Sequence, residues 1–263
     1  MIPAAFDYYR PKDLDGAISL LQEHGDDARV IAGGHSLIPL MKLRMAEIPH
    51  LIDLQSIKEL TGIETGAKIR IGAMTTQSDI INDVSLSSLA PILKEASLQI
   101  ADPQVRYMGT VGGNVANGDP GNDMPGLMQC LDASFQLRGP DGEREVKARE
   151  FYHAAYMTER EDDEVMVSVT FDAPKGGYAY EKQKRKIGDY ATAAAAVILS
   201  KEGTVCQEAS IAMTNLSDTP VFCSAASESL VGTAVSAEDI NKAVGAMLEA
   251  IDPAEDNRGP VEF

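Results

Sequence analysis

Two glycine-rich segments carry the chemistry this sequence could do: Ala32-Gly33-Gly34-His35-Ser36 and Thr110-Val111-Gly112-Gly113-Asn114. Paired glycines let an anion touch the main chain, and they permit the positive-φ geometry that turns successive N–H groups toward one point. Each segment ends in a short polar residue, Ser36 or Asn114, and His35 and Thr110 add side-chain donors where an N–H array alone is incomplete. A lone Gly-Gly pair usually serves a turn. Two pairs with matching polar flanks, each following an apolar stretch and far apart in sequence, point instead to a diphosphate held between them. Neither segment has the G-x-G-x-x-G spacing of a dinucleotide fold or the G-K-[ST] ending of a P-loop.

The formal charge of −17 argues against nucleic acid as a partner. It also requires any diphosphate to be held by local backbone dipoles, because the overall field opposes an anion. Cys130, Cys206 and Cys223 are widely spaced, without a C-x-x-C pair. They fit a reducing compartment and are too few to hold an iron–sulfur cluster on their own. His24, His35, His50 and His153 lack the spacing of a zinc site, so no metal is expected. His35 has no nucleophile or carboxylate placed beside it, and no catalytic residue is assigned. With neither a leader-like N-terminus nor a run long enough to cross a bilayer, a cytoplasmic protein is expected.

The glycine segments need elements to deliver them. Asp13 is a predicted N-cap for a helix with Leu14, Ala17, Ile18 and Leu21 on one face and Gly25 as its stop. Residues 29–32 read as a buried strand leading into the first segment. A short helix from Leu37 to about Met45 and a strand over 50–54 complete a β-loop-α-β unit. Two short strands flank Thr65-Gly66-Ala67, and a helix begins near Thr76. A further helix bearing Leu89, Ile92, Leu93, Ala96 and Ile100 should end at Asp102-Pro103, just before the second segment. Residues 118–125 are too dense in turn formers for regular structure. Residues 135–146 read as a hairpin, and Val165, Val167, Val169 and Phe171 alternate as a half-buried strand.

The best domain boundary is Ala173-Pro174-Lys175-Gly176-Gly177. Beyond it the cluster Lys182, Lys184, Arg185, Lys186 reads on general grounds as a solvated edge-strand face. The alanine run 191–196 favours helix by propensity. The continuation Val197-Ile198-Leu199, the turn at 201–203 and the strand-like 209–213 assign it to a hairpin instead. A last helix opens with Ser236 and Asp239 as a capping box and carries an apolar stripe of Ile240, Ala243, Val244, Met247, Leu248 and Ile251.

The glycine segments belong to longer strings. Ala-Gly-Gly-His-Ser at 32–36, continuing as Leu-Ile-Pro-Leu-Met-Lys-Leu-Arg, and Thr-Val-Gly-Gly-Asn at 110–114 resemble the two FAD loops of the flavoprotein subunits of molybdenum-containing hydroxylases. Residues 100–109 (Ile-Ala-Asp-Pro-Gln-Val-Arg-Tyr-Met-Gly), 117–125 (Asn-Gly-Asp-Pro-Gly-Asn-Asp-Met-Pro) and 180–191 (Tyr-Glu-Lys-Gln-Lys-Arg-Lys-Ile-Gly-Asp-Tyr-Ala) resemble the carbon monoxide dehydrogenase group within that family, and the likeness runs from Met1 to Phe263.

The resemblance implies an α+β fold. A vanillyl-alcohol-oxidase-type FAD-binding domain over 1–175, of two subdomains at about 1–56 and 57–175, would precede a C-terminal α/β domain over 178–263. Non-covalent FAD would be bound by Ala32, Gly33, Gly34, His35, Ser36, Leu37, Thr110, Gly112, Gly113 and Asn114, with Val167 also a contact. Asp123 would touch the flavin or ribityl chain, Lys182 would place a positive charge near the isoalloxazine, and Tyr190 would cover a ring face. Read as residues alone, Asp123 is equally a turn residue and Tyr190 equally a core side chain. The resemblance further implies an electron-transfer role beside a small subunit with [2Fe-2S] clusters and a large molybdopterin subunit, as a dimer of heterotrimers. An external acceptor, a quinone or a membrane cytochrome, would bring the complex to the inner membrane peripherally. Purine or N-heterocycle dehydrogenases have similar flavin subunits. A stand-alone flavin reductase would need its own acid and nicotinamide site, and neither is evident.

Overall fold

The computed structural model describes residues 2–263. It builds an α+β chain around three main sheets. The first is parallel, with strand order Asp7–Tyr9, His50–Asp53, Ala28–Ile31. The helix Leu14–His24 crosses over it because its stripe of Leu14, Ala17, Ile18 and Leu21 is buried, in one cluster with Ala28, Ile52 and Leu54. Asp13 accepts from the Gly16 N–H at 2.9 Å, and Gly25 ends the helix at φ 50°. Both termini therefore follow the capping chemistry written in the sequence.

The second sheet is antiparallel, in the order Ile63–Glu64, Lys68–Gly72, Val165–Asp172, Ser134–Gly139, Gly142–Lys147. Its central strand departs from the half-buried expectation, because both faces are covered. Val165 and Val167 join the cluster under the N-terminal helix, while Met166, Val169 and Phe171 join the core beneath Pro91–Gln99 and Asp123–Cys130. Thr76 forms a capping box with Asp79 to open Gln77–Asn82.

Three loop expectations are corrected by local capping. The helix Pro91–Gln99 stops before Asp102-Pro103, and that pair instead opens Pro103–Met108. Asp102 accepts from the Val105 N–H at 3.0 Å, with proline at the first helical position, where no N–H is needed. The second glycine segment is the first turn of a helix, Val111–Ala116, with Thr110 as N-cap. Of the turn-rich stretch 118–125, the residues from Asp123 onward are the start of Asp123–Cys130.

The third sheet is antiparallel: Gly177–Gln183, Ala193–Glu202, Val205–Thr214, Val221–Phe222, followed by helices Ser224–Leu230 and Ala237–Ala250. The alanine run is a strand because it pairs on both sides, Ala194 with Lys182 and Thr214. Its small side chains have a packing role. Ala194, Ala196 and Ala212 share a core with Met124, Leu127 and Met128, so the helix Asp123–Cys130 lies close upon this sheet. Gly126 marks the contact, since a β-carbon there would overlap the Thr214 hydroxyl. The Cys130 thiol is enclosed at the same junction and burial pushes it up to about 12. The stripe of the last helix is only partly used, with Ala243 buried but Ile240, Val244 and Leu248 exposed.

Replacing Gly126 with Val should overpack this junction. We expect a loss of about 1–3 kcal/mol in urea unfolding, partly recovered by adding Thr214→Ala. An unchanged midpoint for Gly126→Val would show that the helix does not rest on the sheet this closely.

Candidate functional site

A cleft of about 470 Å³ runs between the first sheet, the helices inserted between Lys68–Gly72 and Ser134–Gly139 of the second, and the turn at 188–190. Ala32, Gly33, Gly34, His35, Ser36 and Leu37 form one wall, and Thr110, Gly113 and Asn114 face it. The walls meet through missing side chains. A β-carbon on Gly33 would overlap the Met108 carbonyl, and one on Gly113 would come within 3.4 Å of the Ala32 β-carbon. Gly34 adopts φ 75°, which turns the chain from the strand into the helix Leu37–Lys42.

The two segments differ in what they leave free. Among the described residues, the N–H groups of Gly33, Gly34, His35 and Ser36 donate to no protein acceptor. The second segment is largely committed: the Val111 N–H to the Thr75 carbonyl, Gly112 to Ala73, Gly113 to the Thr110 hydroxyl, and Asn114 to the Thr110 carbonyl. The Asn114 side-chain oxygen accepts from the Met124 N–H at 3.3 Å, and its carbonyl from the Asn122 amide at 3.0 Å. The first segment thus leaves its N–H groups without an internal acceptor, and the second fixes its position.

Three expected contacts lie off the cleft: Gly112, Val167 and, at its far end, Lys182. The Gly112 N–H bonds the Ala73 carbonyl at 2.8 Å, and a β-carbon there would stand 2.5 Å from that of Ala73. Gly112 is therefore a packing glycine. Val167 lies one step further back, its carbonyl accepting from the Ala73 N–H at 2.9 Å and its side chain in the cluster beneath the N-terminal helix. It supports the cleft as scaffold.

At the end formed by Asp123 and Tyr190, Asp123 is 4 % exposed and both of its oxygens are engaged. One accepts from the Tyr180 hydroxyl and the other from the Lys182 ammonium at 2.8 Å. Lys182 also donates to the Gln99 carbonyl at 3.3 Å. Its side chain is 1 % exposed, so it is neither a solvated edge residue nor a wall of the cleft. Its charge reaches the cleft through Asp123. Burial, reinforced by the neighbouring Asp123, pushes the Tyr180 phenol well above its ordinary range. Tyr190 lines the cleft, half-exposed, with Gly121 against its ring.

The remaining walls escaped sequence reasoning. Gln77 is almost fully buried on the cleft wall beside the second segment; its backbone N–H bonds the Gly109 carbonyl, and its side-chain oxygen accepts from Ser97 at 3.0 Å. Its side-chain nitrogen has no partner among the described residues. Ala101 adopts φ 42° and closes against Gly188, at φ 80°, whose β-carbon would stand 2.7 Å from the Ala101 carbonyl oxygen. Arg106 pins that turn by donating to the carbonyls of Ile100 and Ala101. Arg29, Arg160 and Asp162 also line the cleft. The signal for Arg160 was present as the one cation within 159–164, Glu-Arg-Glu-Asp-Asp-Glu.

Removing the Lys182 ammonium leaves Asp123 buried without its charge partner. Lys182→Met should therefore lower stability by about 3–5 kcal/mol, measured by urea unfolding, and Asp123→Leu added to it should restore much of the loss. Equal stability of Lys182→Met and the parent chain would remove the pair from the structural account.

The fold and the cleft have known counterparts. Residues 4–174 match the family of FAD-binding domains in molybdopterin dehydrogenases, and residues 178–263 match the C-terminal domain of the CO dehydrogenase flavoprotein. The carbon monoxide dehydrogenase medium chain of Afipia carboxidovorans is 55% identical over 100% of this chain and 92% of that one. The medium chain of Hydrogenophaga pseudoflava is 45% identical over 100% and 93%. In the solved structure of reconstituted CO dehydrogenase from Oligotropha carboxidovorans, one chain superposes with a TM-score of 0.98 at 54% identity, covering 100% of this chain and 93% of that one. With both of its parts matched along nearly their whole length, the chain belongs to the family of FAD-binding flavoprotein subunits of molybdopterin dehydrogenases.

Proposed function

We propose that this chain is the FAD-binding electron-transfer subunit of an aerobic carbon monoxide dehydrogenase. The observation that carries the reading is the cleft itself, whose first glycine segment presents four N–H groups with no internal acceptor on a chain of net charge −17. Such a cradle suits the oxygens of a diphosphate, and it must act through local backbone dipoles because the overall field repels anions. The unpartnered donor of the buried Gln77 is a second group suited to a polar ligand. When bound, FAD supplies the redox chemistry, accepting and releasing electrons and protons at the flavin.

The protein's own part is to hold and orient. Gly33, Gly34, His35 and Ser36 would face the diphosphate, with the Thr110 hydroxyl and Asn114 opposite. Asp123 and Tyr190 would border the flavin-bearing arm. Lys182 would act indirectly, holding the Asp123 carboxylate in place and offsetting its charge, which keeps net negative charge away from a group that becomes an anion on reduction. A positive charge kept close to that site favours the reduced form.

Substrate oxidation would lie on a partner. The cysteines of this chain are all buried, Cys130 in the main core and Cys206 and Cys223 in the C-terminal one, and three are fewer than the four ligands of a cluster. A small iron–sulfur subunit would pass electrons from a large molybdenum subunit to the flavin, in a dimer of heterotrimers. An external acceptor, a quinone or a membrane cytochrome, would then take them. The relatives named as carbon monoxide dehydrogenase support this assignment over other substrates of the family.

The flavin-loaded chain alone should stay oxidised under anaerobic carbon monoxide. It should lose its visible flavin absorbance when the cluster-bearing and molybdenum subunits are added. Loss of absorbance in the isolated chain with carbon monoxide would contradict the division of labour, and loss with NADH alone would favour a self-contained reductase.

A further inference from the structure

The helix Pro91–Gln99 ends beside the cleft with no basic residue in its last turn. The carbonyls left free at its end are served from elsewhere in the chain. Arg106 donates to those of Ile100 at 2.8 Å and Ala101 at 3.3 Å, and Lys182 donates to that of Gln99 at 3.3 Å. The Gln99 side chain is held as well. Its oxygen accepts from the Lys184 ammonium at 2.6 Å, and its nitrogen makes a long contact of 3.5 Å with the Tyr180 carbonyl. Every polar partner of this side chain thus comes from residues 180–184, on the far side of the boundary at 173–177.

Neither Gln99 nor Lys184 lines the cleft, but the two residues that follow Gln99 do. Ala101 adopts φ 42°, a conformation that persists in a residue other than glycine only where the surroundings over-determine it. Here they act from two sides. Arg106 and the grip on Gln99 fix the chain leading into Ala101, while Gly188 closes on its carbonyl with no room for a side chain. Lys184 precedes Gly188 by four positions, so its bond to Gln99 ties both strands of this wall at their base. The turn beyond it is braced internally, by Arg185 on Asp189 at 2.9 Å and by the Tyr190 N–H on Asp189 at 3.0 Å.

We infer that Gln99, gripped by Lys184, is a positioning residue for the cofactor: it latches Ile100 and Ala101 to the turn at 188–190 and so fixes the flavin-bearing end of the cleft. A half-buried hydrogen bond from an ammonium to an amide oxygen is one of the stronger kind. The inference rests on the cofactor reading above and deepens it.

The test is FAD titration of the flavin-stripped full chain for the parent, Gln99→Leu, Lys184→Met, the double variant and Gln99→Glu. The visible circular dichroism of the bound flavin and the urea unfolding midpoint of the stripped chain are recorded for each. Gln99→Leu and Lys184→Met should each bind FAD about tenfold more weakly and alter the flavin dichroism. The double variant should be no weaker than either single one, because both remove the same bond. Gln99→Glu keeps an acceptor for Lys184 and should bind as the parent does. Weakening by Lys184→Met of the same factor in the parent and in the Gln99→Leu background would reduce Lys184 to a charge that attracts an anion, and overturns the inference. A lowered unfolding midpoint with unchanged affinity and dichroism overturns it too, since the bond would then serve stability alone. If Gln99→Leu fails to fold, Gln99→Asn, too short to reach Lys184, takes its place in the same cycle. Failure of the parent chain to take up FAD would bring down the cofactor reading, and this inference with it; equal uptake by parent and variants overturns the inference alone.

Discussion

The cleft depends on main chains that approach too closely for a side chain to stand between them. Gly33 lies against the Met108 carbonyl and Gly112 against Ala73, and at either place a β-carbon would overlap its neighbour. Contact at this range lets backbone position backbone. Ala73 donates its N–H to the Val167 carbonyl of the central strand and accepts from the Gly112 N–H, so the buried sheet sets the height of the second segment. That segment in turn sets the first. The result is an asymmetric site, in which one glycine pair spends its N–H groups on structure and the other leaves them without an internal acceptor.

The second constraint is the buried pair of Asp123 and Lys182, which joins the helix Asp123–Cys130 to the first strand of the third sheet. Two charges out of water at 1 % and 6 % exposure are costly unless every oxygen is satisfied, and here Tyr180 supplies the remaining donor. The pair therefore specifies one seating of the C-terminal sheet on the core. Because the turn at 188–190 follows that strand, the same contact places Gly188 on Ala101 and Tyr190 on the cleft. Fold and site share a single core at this point, with Tyr180, Ala194 and Ala212 packed together with Met124 and Met128.

Much of this was legible in the residues. The caps at Asp13, Thr76 and Ser236, the stop at Gly25 and the glycine segment at 32–36 are local chemistry, and local chemistry decides them. What the sequence hid depends on partners far along the chain. Lys182 sits in a run that reads as solvated, and only Asp123, 59 positions away, makes it buried. Val167 lies in a strand whose alternation cannot reveal that both faces are covered. Thr110 reads as loop because glycine pairs suggest turns, yet its hydroxyl caps a helix through the Gly113 N–H. Arg160 is hidden because an acidic run reads as surface, and nothing local shows that Arg144 folds that run onto the cleft.

The central claim is that the two glycine segments differ, one as cradle and one as support. Hydrogen exchange at single-residue resolution, on the flavin-stripped chain and after saturation with FAD, addresses it directly. Gly33, Gly34, His35 and Ser36 should exchange freely without FAD and slow markedly with it, while Gly112 and Gly113, already bonded to Ala73 and Thr110, should be protected in both states. Unchanged exchange at 33–36 on saturation, or protection gained chiefly at Gly112 and Gly113, would contradict the account.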